Sequence, residues 1–234
     1  MIIDVHTHIL YDIDDGAKDL AESLNLIRME MENDVDTIVL TPHFDPHKDS
    51  VDRFAQKCQE RYDVLSQHVQ NEKITLILGS ETFYSSSLMY YSSLTPLRIR
   101  GTRYLLFEFP TGMKFNREFF AEFEKLTQKF DIVPIIAHVE RYDDIRNHIK
   151  TIEKLKQLGC VIQSNAGYIT RNINDKFVKQ LFKYSYVDML ASDCHDAEKR
   201  PPNLKGAITL INEKYYGYYY FKMFTNKKII QERN

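Results

Sequence analysis

Asp4-Val5-His6-Thr7-His8 closes the first apolar run of the chain, Met1-Ile2-Ile3. Apolar residues ahead and polar residues behind mark the end of a buried strand. Side chains two apart in a strand share a face. His6 and His8 therefore aim two imidazoles at one point. Imidazole is the commonest protein ligand for catalytic divalent metals. A lone His-x-His doublet also arises by chance, so the other strand ends decide between the two readings.

Working outward, the same arrangement recurs along the chain. Strands are expected at 1–5, 37–40, 74–78, 104–107, 132–137, 160–163 and 187–191. Helical spacing of apolar residues runs between them, over 18–33, 49–70, 116–129, 142–158 and 173–184, with a short helix at 87–93 and a last one from Asn203. Strands alternating with helices over short connections imply a parallel sheet. Polar residues follow nearly every strand. That pattern favours a closed barrel, whose sites lie at the C-terminal strand ends, over an open sheet with a single crevice. The expected fold class is α/β, a seven-stranded (β/α) TIM-like barrel, and 234 residues suit one domain spanning 1–234.

Composition narrows the function classes. A net charge of −2 leaves no basic footprint for nucleic acid. The chain has no apolar run long enough to insert in a bilayer and no signal-peptide pattern at the start, so a cytoplasmic protein is expected. Cys58, Cys160 and Cys194 are scattered and odd in number, which reads as reduced thiols.

The residues just after the strands are His6, His8, Asp14, His43, Glu81, Glu108, His138, Asp193 and His195. Every strand end but the sixth presents an imidazole or a carboxylate, the ligand types of Zn, Mn and Fe. The set is larger than one ion can use. It suits two or three ions sharing bridging carboxylates, which can clamp the attacking and leaving oxygens of a displacement. Arg141 and Arg200 follow the fifth and seventh strands, and planar guanidinium suits phosphate oxygens in a bidentate way. Ordinary alternatives for them are pairing of Arg141 with Glu140 or Asp143, and a surface position for Arg200.

Asp4-Val5-His6-Thr7-His8, Thr41-Pro42-His43, Gly79-Ser80-Glu81, His138-Val139-Glu140-Arg141-Tyr142 and Ser192-Asp193-Cys194-His195 together resemble the motifs of the PHP (polymerase and histidinol phosphatase) superfamily. Asp12-Ile13-Asp14-Asp15-Gly16 and Arg200-Pro201-Pro202 make the chain most similar to its branch of bacterial CpsB/CapC-type tyrosine-protein phosphatases. The resemblance implies a distorted seven-stranded barrel of the PHP type holding three metal ions, usually Mn2+, with Fe, Zn, Co or Mg in some positions. It implies that His6, His8, Glu81 and Asp193 hold the first ion, and Asp14, His43 and His195 the second. Glu81, as a bridge, would hold the third with Glu108 and His138. Asp193, Arg141 and Arg200 would act in catalysis, the two arginines by binding substrate phosphate. The implied partner is a phosphotyrosine protein, the tyrosine-rich tail of a bacterial tyrosine autokinase controlling capsule or exopolysaccharide synthesis. Many PHP proteins carry histidines where this chain has Asp14 and Glu108. The carboxylates weaken the alternative, a phosphoesterase for a small phosphomonoester such as histidinol phosphate.

Three competing readings have their own residues. Cys194 to Arg200 satisfies the Cys-x5-Arg pattern of thiol phosphatases, but the intervening loop has no glycine and carries Asp196 and Glu198, which repel a dianion. An amidohydrolase-like barrel wants a lysine at a central strand end, where Glu81 and Glu108 stand. A binding module with structural metals wants closed, often cysteine-rich sites. Phe44, Phe83, Tyr84, Phe109, Phe115 and Tyr168 either line a slot for a tyrosyl ring or pack in the core. The run Tyr215-Tyr216-Gly217-Tyr218-Tyr219-Tyr220 invites a self-regulatory reading, against the plainer one of a packed helix.

Overall fold

The computed structural model describes residues 2–215. The strands are β1 (Ile2–Thr7), β2 (Val35–Leu40), β3 (His43–Phe44), β4 (Thr75–Leu78), β5 (Glu81–Phe83), β6 (Tyr104–Glu108), β7 (Val133–Ile136), β8 (Val161–Asn165) and β9 (Met189–Ala191). The helices are α1 (Leu20–Glu32), α2 (Val51–Val69), α3 (Arg117–Lys129), α4 (Asp143–Asn147), α5 (Thr151–Gln157), α6 (Ala166–Arg171), α7 (Lys176–Lys183) and α8 (Leu204–Tyr215). All strand pairs are parallel, in the orders β1-β2-β4 and β3-β5-β6-β7-β8-β9. The result is an α/β fold around a curled parallel sheet.

Two interruptions shape the sheet at the site. The chain leaves β2 at Thr41-Pro42 and resumes as β3, and it leaves β4 at Gly79-Ser80 and resumes as β5. Pro42 has no amide hydrogen for a ladder. Thr41 compensates with its side chain: Oγ1 accepts the Thr7 amide at 3.0 Å, while its own amide donates to Thr7 O at 2.9 Å. The Gly79 amide donates to Leu40 O and the Glu81 amide to Pro42 O, so the two breaks lie side by side. Past them His43 stands in register with Glu81. On the other flank Thr7 bridges Cys194 in parallel, the His8 amide donates to Cys194 O at 2.9 Å, and the Asp193 amide donates to His6 O at 2.9 Å. Buried Asp4 ties the same ends from below, accepting the amides of His6 at 3.2 Å and Ser192 at 3.0 Å.

Ile3, Val5, Val39, Ile77, Leu106, Ile135 and Met189 form an inner cluster drawn from alternate positions of successive strands. A larger cluster packs the outer face of the sheet against the helices. Helix starts follow capping chemistry: Asp19, Ser50, Asn116 and Asp175 each accept a first-turn amide. The helix expected over 142–158 is two, α4 and α5, broken at the poor helix formers Asn147-His148. Helix α6 had no periodic signal, being only six residues long. Of the aromatic residues considered for a slot, Phe44, Tyr84, Phe109 and Phe115 are buried. Phe109, Phe115, Phe119 and Tyr142 meet edge to face at centroid distances of 5.0 to 5.7 Å, the preferred geometry of packed rings. Tyr215 stacks on Phe182 and donates to Ile173 O, and the rest of the tyrosine run, 216–220, lies outside the described residues. No helix among the described residues is long and apolar enough to cross a membrane.

One glycine is dictated by a close approach. A Cβ on Gly16 would lie 2.1 Å from His8 O. That carbonyl also accepts the Ala17 amide, which fastens the 12–16 turn to the end of β1. Gly16→Ala is expected to push the turn off His8. The cost should be about 2–4 kcal/mol of stability, read from denaturant melts, together with weakened metal retention. Unchanged stability and metal content would mean that the turn yields freely.

Candidate metal centre

The strand ends converge as the alternation of strands and helices requires. His6 Nε2 and His8 Nε2 lie 3.1 Å apart. Glu81 Oε2 lies 3.1 Å from His6 Nε2, 3.3 Å from His8 Nε2 and 3.0 Å from His43 Nδ1. Its other oxygen is 2.7 Å from His138 Nε2. Asp193 Oδ1 stands 3.4 Å from both His6 and His8. Glu108 reaches His138 at 3.4 Å and His43 at 3.7 Å. Three donor groups result: His6, His8 and Asp193; His43, Glu81 and Glu108; and His8, His43, His195 and Asp15, each with ligand atoms within 4.8 Å of one another.

The second ion's expected set departs from this geometry at one residue. Asp14 turns away from the cluster. It accepts His8 Nδ1 at 2.7 Å, the Gly16 amide at 3.0 Å and the His43 amide at 2.8 Å. Asp15 takes the facing position, 3.5 Å from both His43 Nε2 and His195 Nε2. Neighbouring residues in a tight turn point in different directions, and only the anchoring of the turn on His8 decides which one faces the centre.

The donor set fits divalent ions on two independent observations. Glu81 Oε2 and His195 Nε2 are buried without an aligned hydrogen bond among the described residues, the nearby ring nitrogens directing no N–H at them, a costly condition unless a cation takes the lone pair. Rings whose Nε2 faces the cluster also have Nδ1 held from behind. His8 is held by Asp14, His6 by Gln163 Oε1 at 3.4 Å, His195 by the Asp193 carbonyl at 3.0 Å, and His138 by the Tyr142 hydroxyl at 3.4 Å. This outer support is what metal-ligating imidazoles carry. Backbone strain points to the same place, since His138 (φ 31°) and Asp193 (φ 54°) adopt the left-handed region that non-glycine residues avoid.

The end of β8, the sixth of the seven strands expected from sequence, offers no ligand and supplies amides. Gln163 Oε1 also accepts the His138 amide at 2.6 Å, and its Nε2 donates to Asn165 Oδ1 at 2.9 Å. Asn165 Nδ2 donates to Asp193 Oδ2 at 2.6 Å. Sequence reading missed Asp15, Gln163, Asn165 and Tyr142 in these roles; the gap at strand six was the one available signal. Arg141 and Arg200 leave their ordinary partners. Arg141 Nη2 donates to Asp193 Oδ2 at 2.6 Å, and Arg200 Nη2 reaches the same oxygen at 2.7 Å. Glu140 is instead buried and occupied by Ser164 Oγ and the Asn165 amide. Asp193 thus has one oxygen on the histidine cluster and the other on two guanidinium groups.

Electrostatics follow from this crowding. Burial pushes Glu81 and Asp193 up, but the surrounding imidazoles, His6 foremost, hold both carboxyls well below their usual range. Burial pulls His138 down, yet its bonds to Glu108 and Glu81 raise it from 6.5 to about 9. Burial and the neighbouring His8 take His195 down to about 3. A raised imidazole contributes stability below its unfolded value that is lost as pH rises through its folded value. Metal-free protein is therefore expected to lose stability as pH climbs from 6.5 to about 9. Metal affinity should rise over the same window, because binding must displace that proton. Melts of chelator-treated protein across this range check the first expectation and metal titrations the second; an apo stability that grows with pH would refute the linkage.

Cys194 is fully buried. Burial, then the charges of Glu30 and Asp4, push its thiol well above the ordinary value. A thiol so placed is inert as a nucleophile.

A curled parallel sheet whose strand ends gather histidines and carboxylates, flanked by arginines, suits a metal-dependent hydrolytic centre. The chain belongs to the capsular polysaccharide synthesis family CpsB/CapC, whose model matches residues 2–231. It is 28% identical over 225 residues to the tyrosine-protein phosphatase CpsB of Streptococcus pneumoniae, covering 92% of this chain and 91% of that protein. It is 27% identical over 223 residues to the tyrosine-protein phosphatase YwqE of Bacillus subtilis, covering 92% and 85%. A solved structure from work on YwqE and on pneumococcal CpsB, described as unique metal-dependent tyrosine phosphatases, superposes with a TM-score of 0.80 at 23% identity, covering 100% of this chain and 96% of that one.

Proposed function

We propose that this protein is a metal-dependent protein-tyrosine phosphatase acting in the control of capsular or exopolysaccharide synthesis. The observation that carries the reading is Asp193, shared between a histidine–carboxylate cluster and two arginines. Membership of the CpsB/CapC family and the likeness to named tyrosine-protein phosphatases support it.

In this reading His6, His8, Glu81 and Asp193 hold one ion, Asp15, His43 and His195 a second, and Glu81, Glu108 and His138 a third, with Mn2+ as the metal. Bound ions lower the pKa of water from about 16 toward 7 and neutralise the phosphate dianion. The chain's own part is positioning. Asp14, Gln163 and Tyr142 orient the rings. Arg141 and Arg200, whose side chains are 42% and 36% exposed, reach outward and fork onto phosphate oxygens, while Asp193 keeps them aimed. The wider reading is a single domain over 1–234, its strands closing as a distorted seven-stranded PHP-type barrel in a cytoplasmic protein. The amide bonds between the ends of β1 and β9 support closure. The substrate would be the tyrosine-rich tail of a bacterial tyrosine kinase.

Hydrolysis of phosphotyrosine peptide with Mn2+, abolished by EDTA and restored by Mn2+, tests the activity. Faster turnover of histidinol phosphate would favour the small-phosphomonoester alternative. Arg141→Ala and Arg200→Ala are each expected to lower kcat/KM by about 10- to 100-fold with metal content unchanged. Loss of metal in either variant would move that arginine from substrate binding to the upkeep of the cluster.

A further inference from the structure

Two cavities flank the donor cluster, and they differ in charge. One, of about 640 Å3, is lined by Asp14, Asp15, Asp45, Asp49 and Glu108 with Lys48 and Lys57. The other, of about 460 Å3, is lined by Arg141, Arg146, Arg171, Lys199 and Arg200, beside Tyr168. Its two acids are already occupied. Glu140 accepts Ser164 Oγ and the Asn165 amide, and Asp193 Oδ2 accepts Arg141, Arg200 and Asn165. The nearby Asp175 carboxylate caps α7 through the Phe177 amide.

Arg146, Arg171 and Lys199 form no ion pair among the described residues. Arg146 lies over the Phe177 ring, 6.0 Å from its centroid. Arg171 lies against Gly167, where a Cβ would come within 3.2 Å of Nη1 and 3.0 Å of Asn203 Nδ2. The missing side chain leaves room for that guanidinium in the cavity wall. Lys199 has the Asp196 carboxylate as a Coulombic neighbour, while Arg146 and Arg171 lack an ion-pair partner among the described residues; like charges so gathered repel one another, and an anion in the cavity relieves them.

We propose that this cavity is a second anion subsite. Arg146 and Arg171, with Lys199, take a carboxylate or a second phosphate carried by the substrate next to the phosphotyrosine, while Arg141 and Arg200 take the reacting phosphate. The inference rests on the phosphotyrosine-phosphatase reading.

The test is steady-state kinetics of the Mn2+-loaded full chain and its Arg146→Ala/Arg171→Ala variant. The substrates are p-nitrophenyl phosphate, a phosphotyrosine peptide with neutral flanks, the same peptide with Asp and Glu flanks, and a doubly phosphorylated peptide. The unaltered protein is expected to prefer one or both anionic peptides over the neutral one by about tenfold in kcat/KM, chiefly through KM, and to lose that preference at high salt. The variant should lose the preference while p-nitrophenyl phosphate and the neutral peptide stay within about twofold. Which anionic peptide gains more separates a carboxylate from a phosphate as the ligand. Equal rates on all peptides, a preference that survives in the variant, or a uniform loss on every substrate would each overturn the subsite. Turnover of p-nitrophenyl phosphate but of no peptide would instead overturn the protein-tyrosine-phosphatase reading, and the subsite with it.

Discussion

Glu81→Gln is expected to lower kcat by at least about 1,000-fold at saturating Mn2+ and to reduce the metal bound per chain. Glu81 is the only carboxylate among the described site residues that touches His6, His8, His43 and His138 together. Glutamine keeps the shape and removes the charge. It offers one weaker acceptor in place of two charged oxygens and turns an amide donor toward imidazoles that must present lone pairs. Three buried rings and the partly exposed His43 would then face one another without their common counter-charge. Removing one partner of a buried charged set costs about 3–5 kcal/mol. Part of that cost should appear as lower metal-free stability. The rest should appear in metal affinity. Elemental analysis with single-turnover kinetics separates the two contributions. Full metal content with full activity would show that Glu81 does not bridge.

Asp193→Asn and Cys194→Ser form a pair in which neighbours in sequence should behave in opposite ways. Asp193→Asn is expected to lose about 1,000-fold or more in kcat/KM, because both oxygens are committed, one to the histidines and one to the arginines. Cys194→Ser should stay within about threefold in kcat/KM, since the buried thiol is held protonated and its Sγ bonds to Glu30 beside Ser192, away from the donor cluster. A modest drop in stability, about 1 kcal/mol, should come from the smaller, more strongly solvated hydroxyl replacing a buried thiol. An inactive Cys194→Ser with its metals retained would overturn the metal mechanism and restore the thiol reading.

Much of the centre was legible before folding is considered because its signals are local. Strand alternation and the turn after each strand are properties of a few consecutive residues. Ligand chemistry is a property of side-chain type. These placed His6, His8, His43, Glu81, Glu108, His138, Asp193 and His195 at the mouths of successive strands, and the structure brings them together. The breaks at Thr41-Pro42 and Gly79-Ser80 are also local, yet their effect is not. The interruptions matter because they are adjacent in space and leave His43 in register with Glu81.

What the sequence by itself determined is the kind of centre: a parallel α/β chain with imidazoles and carboxylates after its strands. What only the tertiary structure decided is which atoms face one another. Asp15 rather than Asp14 points at His43 and His195, because a glycine without room for a Cβ presses the turn onto His8. Gln163 and Asn165 became supports of the cluster, because β8 lies between β7 and β9, whose ends carry His138 and Asp193. Arg141 and Arg200, far apart in the chain, share one oxygen of Asp193, and the cations of α4 and α6 line one cavity while acids line the other. Those outcomes depend on directions set by packing across long separations, and a one-dimensional pattern of residue types carries periodicity but no direction.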